Sequence, residues 1–240
     1  MVAIPYNVEG TGDFISVFAV QKDRRTGLPK LSAGHNVPVD PYVLPPYAPQ
    51  CDPTQSLLDT LDGRLLHAVS ALDPTTGAIE IWTAHAVTGG AGSEVRWYEI
   101  TPKPLGNPTL AQSGAATDAS LWAWNGAIAP DRTVNPLGAA HGEAMVLGFT
   151  TASDSACPAA QMVSKVGSDP QSAFVLVRQS PVGLLDFSCV PICRWGDYSG
   201  ASPDPGTSLD AARGDVWLAN EIPLTSPRGS AGTWVWQATP

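Results

Sequence analysis

Basic side chains are scarce: four lysines and nine arginines stand against 22 acidic residues in 240, a net charge of −9. Phosphate backbones and anionic bilayers are held by clustered cations, so neither nucleic acid nor an anionic lipid surface is expected as a partner. No apolar run reaches the roughly 20 residues of a membrane-spanning helix, so no membrane span is expected. Residues 1–12 have neither the basic start nor the apolar core of a secretion signal, so export would mean that the signal had been removed or belonged to a longer parent. Helical periodicity is missing from every window. Also missing are a Gly-x-Ser-x-Gly elbow, a phosphate-binding loop and a Gly-x-Gly-x-x-Gly fingerprint. No cofactor is expected. No Asn-x-Ser/Thr sequon occurs.

Cysteine is almost absent too, with four residues. Cys189 and Cys193 enclose three residues including Pro191 and suit a small disulfide-closed loop. They also form half of a metal site, but zinc would need two more close ligands and none lies nearby in sequence, so any metal stays unassigned. Cys51 and Cys157 are the remaining candidate pair. Disulfides would imply an oxidising compartment, and the protein is expected to be secreted.

What is plentiful is glycine and proline, 23 of each, with only 15% charged residues. Short strands joined by tight turns have this composition. The strands repeat. Gly126-Ala127-Ile128-Ala129-Pro130-Asp131 is echoed by Gly200-Ala201-Ser202-Pro203-Asp204-Pro205, and more weakly by Ser70-Ala71-Leu72-Asp73-Pro74. Laid over one another, units at about 13–50, 62–113, 120–180 and 194–240 share a first strand at 64–71, 120–127 and 194–201. A second lies at 79–84, 144–149 and 215–220, and a third at 94–100, 160–166 and 233–238. Fourth strands at 109–113 and 176–180 each carry Gln-Ser. The first unit is read from Phe14–Val20, a segment near Leu31–Val39, and Tyr42 to Gln50. The fold expected is all-β: one domain of about three and a half four-stranded antiparallel blades of a β-propeller. A ring needs at least four blades, so another segment or chain would complete it, and bare edges would otherwise invite pairing.

Small residues place the first strand innermost, with His67, Ala123 and Asp197 on one face. Trp82, Trp97, Trp217 and Trp234 are expected between blades. Asp197, between Gly196 and Tyr198, is the leading candidate for binding a cation or polar ligand; the plainer account is a carboxylate paired with Arg194. His67 would share its cavity or simply pack. Glu221 would join Asp197 as the second carboxyl of a hydrolytic pair, or cap a turn. His85 and His141 fall in or beside loops without a partner at ligand spacing. Gly89–Gly92 reads as a hairpin, and Asp23–Gly27 as an exposed turn open to proteolysis.

The stretch Arg194-Trp195-Gly196-Asp197-Tyr198-Ser199-Gly200-Ala201, then Pro203-Asp204-Pro205 and Asp215-Val216-Trp217-Leu218-Ala219-Asn220-Glu221, resembles a motif of secreted bacterial sialidase-like (BNR-type) β-propellers. The resemblance is close over 194–221 and looser over 50–240. It implies fold and export, and it carries over no catalytic residues. Ser202-Pro203-Asp204-Pro205-Gly206 matches the start of an Asp-box, but Leu209 replaces the aromatic and the stretch follows the wrong strand. A sialidase site resembles three arginines around a tyrosine with an acidic partner; Arg194 and Tyr198 alone fit that pattern here.

The function expected is a non-catalytic secreted scaffold or binding module, assembled with another polypeptide. Ligand contacts would be made by Arg194, Asp197, Tyr198 and His67. The alternative is a glycoside hydrolase or lyase acting on extracellular carbohydrate, with Asp197, Glu221 and Tyr198 as catalytic candidates. A structural subunit pairing through edges at Phe14–Val20 or Trp234–Ala238 is a third reading.

Overall fold

Runs rich in valine, isoleucine, threonine and tryptophan, broken by glycine and proline, fold here into four main antiparallel sheets laid one against the next. The computed structural model describes residues 1–5, 10–51, 56–103, 106–134, 138–206, 213–224 and 231–240. Among these there is no helix, and so none long and apolar enough to cross a membrane. Leu209 lies outside them, as do residues 6–9 of the N-terminal stretch.

The first sheet joins β1 (Val2–Ala3), β2 (Thr11–Val17) and β5 (His35–Val43), and a ribbon of β3 (Val20–Lys22) and β4 (Pro29–Leu31) runs between the last two. After the short β6 (Leu57–Leu58), the second sheet is a meander of β7 (His67–Leu72), β8 (Ile79–Gly89), β9 (Gly92–Thr101) and β10 (Thr109–Ala116). The third is β11 (Trp122–Pro130), β14 (Ala144–Ala152), β15 (Ala159–Val166) and β16 (Val175–Gln179), with β12 (Thr133–Val134) and β13 (Ala140–His141) paired in its first connection. Next, β17 (Ile192–Cys193) lies parallel to β6. The fourth sheet is β18 (Gly200–Pro203), β19 (Val216–Pro223) and β20 (Ala231–Ala238).

Burial along each strand follows from this stacking. Every residue of β14 is buried, because its sheet is covered on both faces. β20 alternates between exposed and half-buried up to Gln237, because only one of its faces is covered. Ile15, Val17 and Val37 pack on Tyr98 and Ile100 between the first and second sheets. Trp82 and Trp97, stacked at 6.0 Å, pack on Met145, Leu147 and Phe149 between the second and third. A Cβ on Gly114 would stand 2.7 Å from the Trp97 ring, so that strand position needs a glycine. Ala127, Ala129 and Val146 pack on Ala201, Val216 and Leu218 between the third and fourth. The first strands β7, β11 and β18 lie beside one another, and Val69 packs against the same Ala127–Leu218 cluster. No closed ring of sheets forms among the described residues.

Several expected strands are shorter than the sequence implied: that at 64–71 starts at His67, that of Phe14–Val20 ends at Val17, and two others depart further. Only the last two residues of the 194–201 stretch are in a strand, β18, because the disulfide loop and the burial of Trp195 hold residues 194–199 out of the sheet. Tyr42 to Gln50 leaves β5 after Val43 and makes only an isolated bridge, Ala48 to Leu58; Pro45, Pro46 and Pro49 have no N–H for a ladder. The four tryptophans also part company. Trp82 and Trp97 are fully buried, Trp234 lies under the Arg178 guanidinium at 4.7 Å, and Trp217 faces outward, 42% exposed.

His85 is not a loop residue. It sits in mid-β8, 1% exposed, with Nδ1 2.8 Å from the Gly63 carbonyl oxygen and Nε2 3.0 Å from the Tyr98 hydroxyl. Burial pushes its pKa down to about 4, so the ring stays neutral as a structural bridge. Two tight turns share one design. Asp23 Oδ1 accepts the N–H groups of Arg25 and Thr26, and Asp73 Oδ1 those of Thr75 and Thr76. Each turn closes on a glycine in the left-handed region, Gly27 and Gly77.

Candidate functional site

The outward loop 194–199 is built by two anchors. Cys189 and Cys193 form a disulfide, and Trp195 is fully buried edge-on to Trp124 at 5.5 Å. With Trp195 pinned inward, Arg194, Asp197 and Tyr198 stand in solvent. Arg194 Nη2 donates to Asp197 Oδ2 at 2.5 Å, the pairing the plainer account expected. Tyr198 is 72% exposed.

Glu221, on the outer face of β19, reaches the same loop. Its carboxylate accepts the Gly196 N–H, and a Cβ on Gly196 would fall 2.1 Å from Glu221 Oε2, so any side chain there would displace the carboxylate. Burial pushes the Glu221 pKa up to about 7; the Gly196 N–H opposes this, and the charges of Asp186 and Asp197 add to it. Asp197, Tyr198, Ala219, Glu221 and Thr233 line a hollow of about 400 Å³. The three catalytic candidates therefore do converge. A second hollow of about 610 Å³ shares Asp197 with it and is lined also by Arg194, Asp59, Asp62 and Arg64. Arg64 is ion-paired with Asp62. The two arginines that gather near Tyr198 are thus each matched to an aspartate, and no third arginine lines either hollow.

His67 does not share the Asp197 cavity. It lines neither hollow and lies half-buried at the start of β7, hydrogen-bonded to the Ala201 backbone, with burial lowering its pKa. His141 lies in β13 and, with Arg132, Ser70 and Pro203, lines a separate hollow of about 380 Å³ at the C-terminal ends of β7, β11 and β18.

Both disulfides are formed, Cys51–Cys157 and Cys189–Cys193, so no cysteine is left for a metal. Among the described residues no group of three or more His, Cys, Asp or Glu side chains could hold an ion.

One feature escaped the sequence reading. Glu80 and Glu99 lie on one face of the second sheet beside Trp82, each 5% exposed. Glu99 Oε2 accepts Gln112 Nε2 at 2.6 Å, and Glu80 Oε1 accepts the Thr101 hydroxyl at 3.0 Å. Burial, reinforced by the charge of Glu80, pushes Glu99 up to about 7. Each carboxyl is held by a side chain of its own sheet. A carboxyl whose folded pKa is raised is protonated in the fold while ionised in the open chain. Stability is therefore full below the unfolded value near 4.5 and falls as pH rises towards 7. Glu99→Gln is expected to raise stability at pH 8 by about 1–3 kcal/mol and to leave it nearly unchanged at pH 4.5. Urea unfolding at the two pH values reads this directly, and an equal effect at both would contradict it.

Among known proteins, no protein-family model, no curated protein and no solved structure matches this chain.

Proposed function

We propose that this chain is an extracellular, non-catalytic binding scaffold, an arc of β-propeller blades completed by another polypeptide. Two disulfides and the all-β architecture are compatible with an oxidising, extracellular setting. The observation that carries the reading is the outer face of the last sheet. Trp217 (42% exposed), Ala219 and Val235 (58% exposed) form an apolar row there, of the kind that the chain buries between its other sheets. β20 pairs only with β19 among the described residues, which leaves a sheet edge open as well.

The test is native mass spectrometry on protein recovered from the cells that make it. The reading expects a mass above 25.0 kDa, reduced to the single chain by Trp217→Glu. A wild-type protein that stays at the single-chain mass would sink it.

A glycoside hydrolase or lyase is the second reading. It is favoured by one observation: Glu221, with a pKa near 7, shares a hollow with the carboxylate of Asp197. A carboxyl that is half protonated at neutral pH can serve as a general acid. This reading expects turnover of aryl glycosides that Glu221→Gln abolishes, with a rate that falls above pH 7. No turnover across a panel of such substrates leaves the scaffold.

A further inference from the structure

The ribbon β3–β4 is the most conspicuous surface outside the hollows. Of residues 20–31, all but Asp23 are exposed. Val20, Leu28 and Leu31 stand 56%, 64% and 50% exposed, and Val20 faces Leu31 across the ribbon. Around them are Lys22, Arg24, Arg25 and Lys30, and none forms an ion pair among the described residues. Four of the chain's 13 basic groups thus sit in twelve residues with one acid, while the remainder carries nine basic against 21 acidic groups. The one acid, Asp23, is engaged by the Arg25 and Thr26 N–H groups of its own turn. Strands of three residues are short even for an isolated hairpin, which is marginal in water at best. A cationic ribbon with a greasy row on an acidic protein is a complementary surface in search of its match.

The match is on the same molecule, where the ribbon's own copy cannot be using it. The open face of the last sheet offers Trp217 and Val235 for the apolar row, with the Asp204 carboxylate against the Trp217 and Gln237 side chains and that of Asp215 against Gln237 at one end. The ribbon is a two-stranded sheet of its own in the β2–β5 connection, the open face belongs to the last sheet, and the ribbon makes no extensive contact with that sheet's strands among the described residues. We propose that the open face is occupied by the β3–β4 ribbon of a second copy of this chain. Two copies exchange ribbons about a two-fold axis, so both open faces are covered and the assembly closes as a dimer. This proposal rests on the reading that the open face takes a polypeptide, and it names that polypeptide.

The experiment uses the purified full chain alone, by sedimentation velocity and light scattering over a concentration series. The wild type is expected to reach twice the single-chain mass. Its dissociation constant is expected to rise by roughly tenfold or more between about 50 and 500 mM salt, since charges screened at about 4 Å contribute little. Lys22→Glu/Arg24→Glu/Arg25→Glu and Trp217→Glu are each expected to be monomeric. Mixed in equal amounts at high concentration they form a dimer weaker than the wild type, because the intact ribbon of one meets the intact face of the other while the second contact is lost; that partial recovery also shows that both are folded. A wild type that stays monomeric at every concentration overturns the proposal. So does a dimer indifferent to the triple substitution, a failure to recover on mixing, or a ribbon that instead binds heparin or anionic vesicles as a monomer. If the purified chain is monomeric while the natural source yields a larger mass, the open face has another occupant and only this inference falls.

Discussion

Replacing Cys51 and Cys157 with serine is expected to cost about 4–5 kcal/mol, a large share of the stability of a domain this size. The bond links residues 106 apart in sequence. It ties the irregular segment between β5 and β6 to the β14–β15 connection of the third sheet. Cutting it returns to the unfolded chain the freedom of a loop of about 100 residues, which the chain-entropy account sets near 4.7 kcal/mol. Cys189 and Cys193 are only four apart, and the same account gives about 2 kcal/mol for so short a loop. Guanidinium unfolding of the two double-serine variants should separate them, with the midpoint of the first falling further. Equal losses would mean that the long-range bond does not restrain the chain as described.

The second large effect separates two tryptophans that look alike in the sequence. Trp97→Ala is expected to cost about 3–5 kcal/mol, and Trp217→Ala less than about 1 kcal/mol in the monomer. Trp97 is 1% exposed, lies on Trp82 and over Gly114, and its Nε1 donates to Gln171 Oε1 at 2.7 Å. Trp217 has solvent on its outer side, and its Nε1 bonds Asp204 Oδ2 at 3.1 Å. Thermal unfolding of dilute protein, where any assembly has dissociated, measures both. A Trp217→Ala loss as large as that of Trp97→Ala would show that the outer face is already filled within one chain.

The contrast marks where the sequence stops being legible. Strands at 79–84, 94–100, 144–149 and 233–238 were readable because dense branched and aromatic runs end on glycine or proline, and each lies within an observed strand. The repeat was readable for the same reason, and the second and third sheets both run as four-stranded meanders in chain order. Which face of a strand meets another sheet is not a local property, so Trp82 and Trp217 carry the same local signal and opposite burial. Asp197 was expected on an inner strand because its segment aligns with 120–127. Nothing near it in sequence reports that Trp195 would be drawn against Trp124, some 70 residues earlier, and would hold the loop off the sheet. His85 was hidden between two alanines, its partners Gly63 and Tyr98 lying on other segments. The repeated Gln-Ser pair shows the reverse error. Gln112 bonds the buried Glu99, whereas Gln179 bonds the Cys157 carbonyl, so matching letters do different work. One signal was present and unread: Asp-x-x-Thr-Gly at Asp23–Gly27 and Asp73–Gly77 marks two turns of the same build.

The candidate site was half legible. Asp197, Tyr198 and Glu221 meet around one hollow, as a shared motif would suggest, yet His67 stands apart from it. Glu221 is brought there by the pairing of β19 with β18, which places it across from the turn that ends in Gly200. Burial raises its pKa while the Gly196 N–H pulls it down, a balance that no spacing of letters reveals.

Methyl-labelled nuclear magnetic resonance tests most directly whether β7, β11 and β18 line one centre. The fold predicts nuclear Overhauser contacts from the Val69 methyls to the Ala127–Ala201–Leu218 cluster, which the second, third and fourth sheets share. Val69 methyls that contact only residues of their own sheet, between 67 and 116, would contradict it.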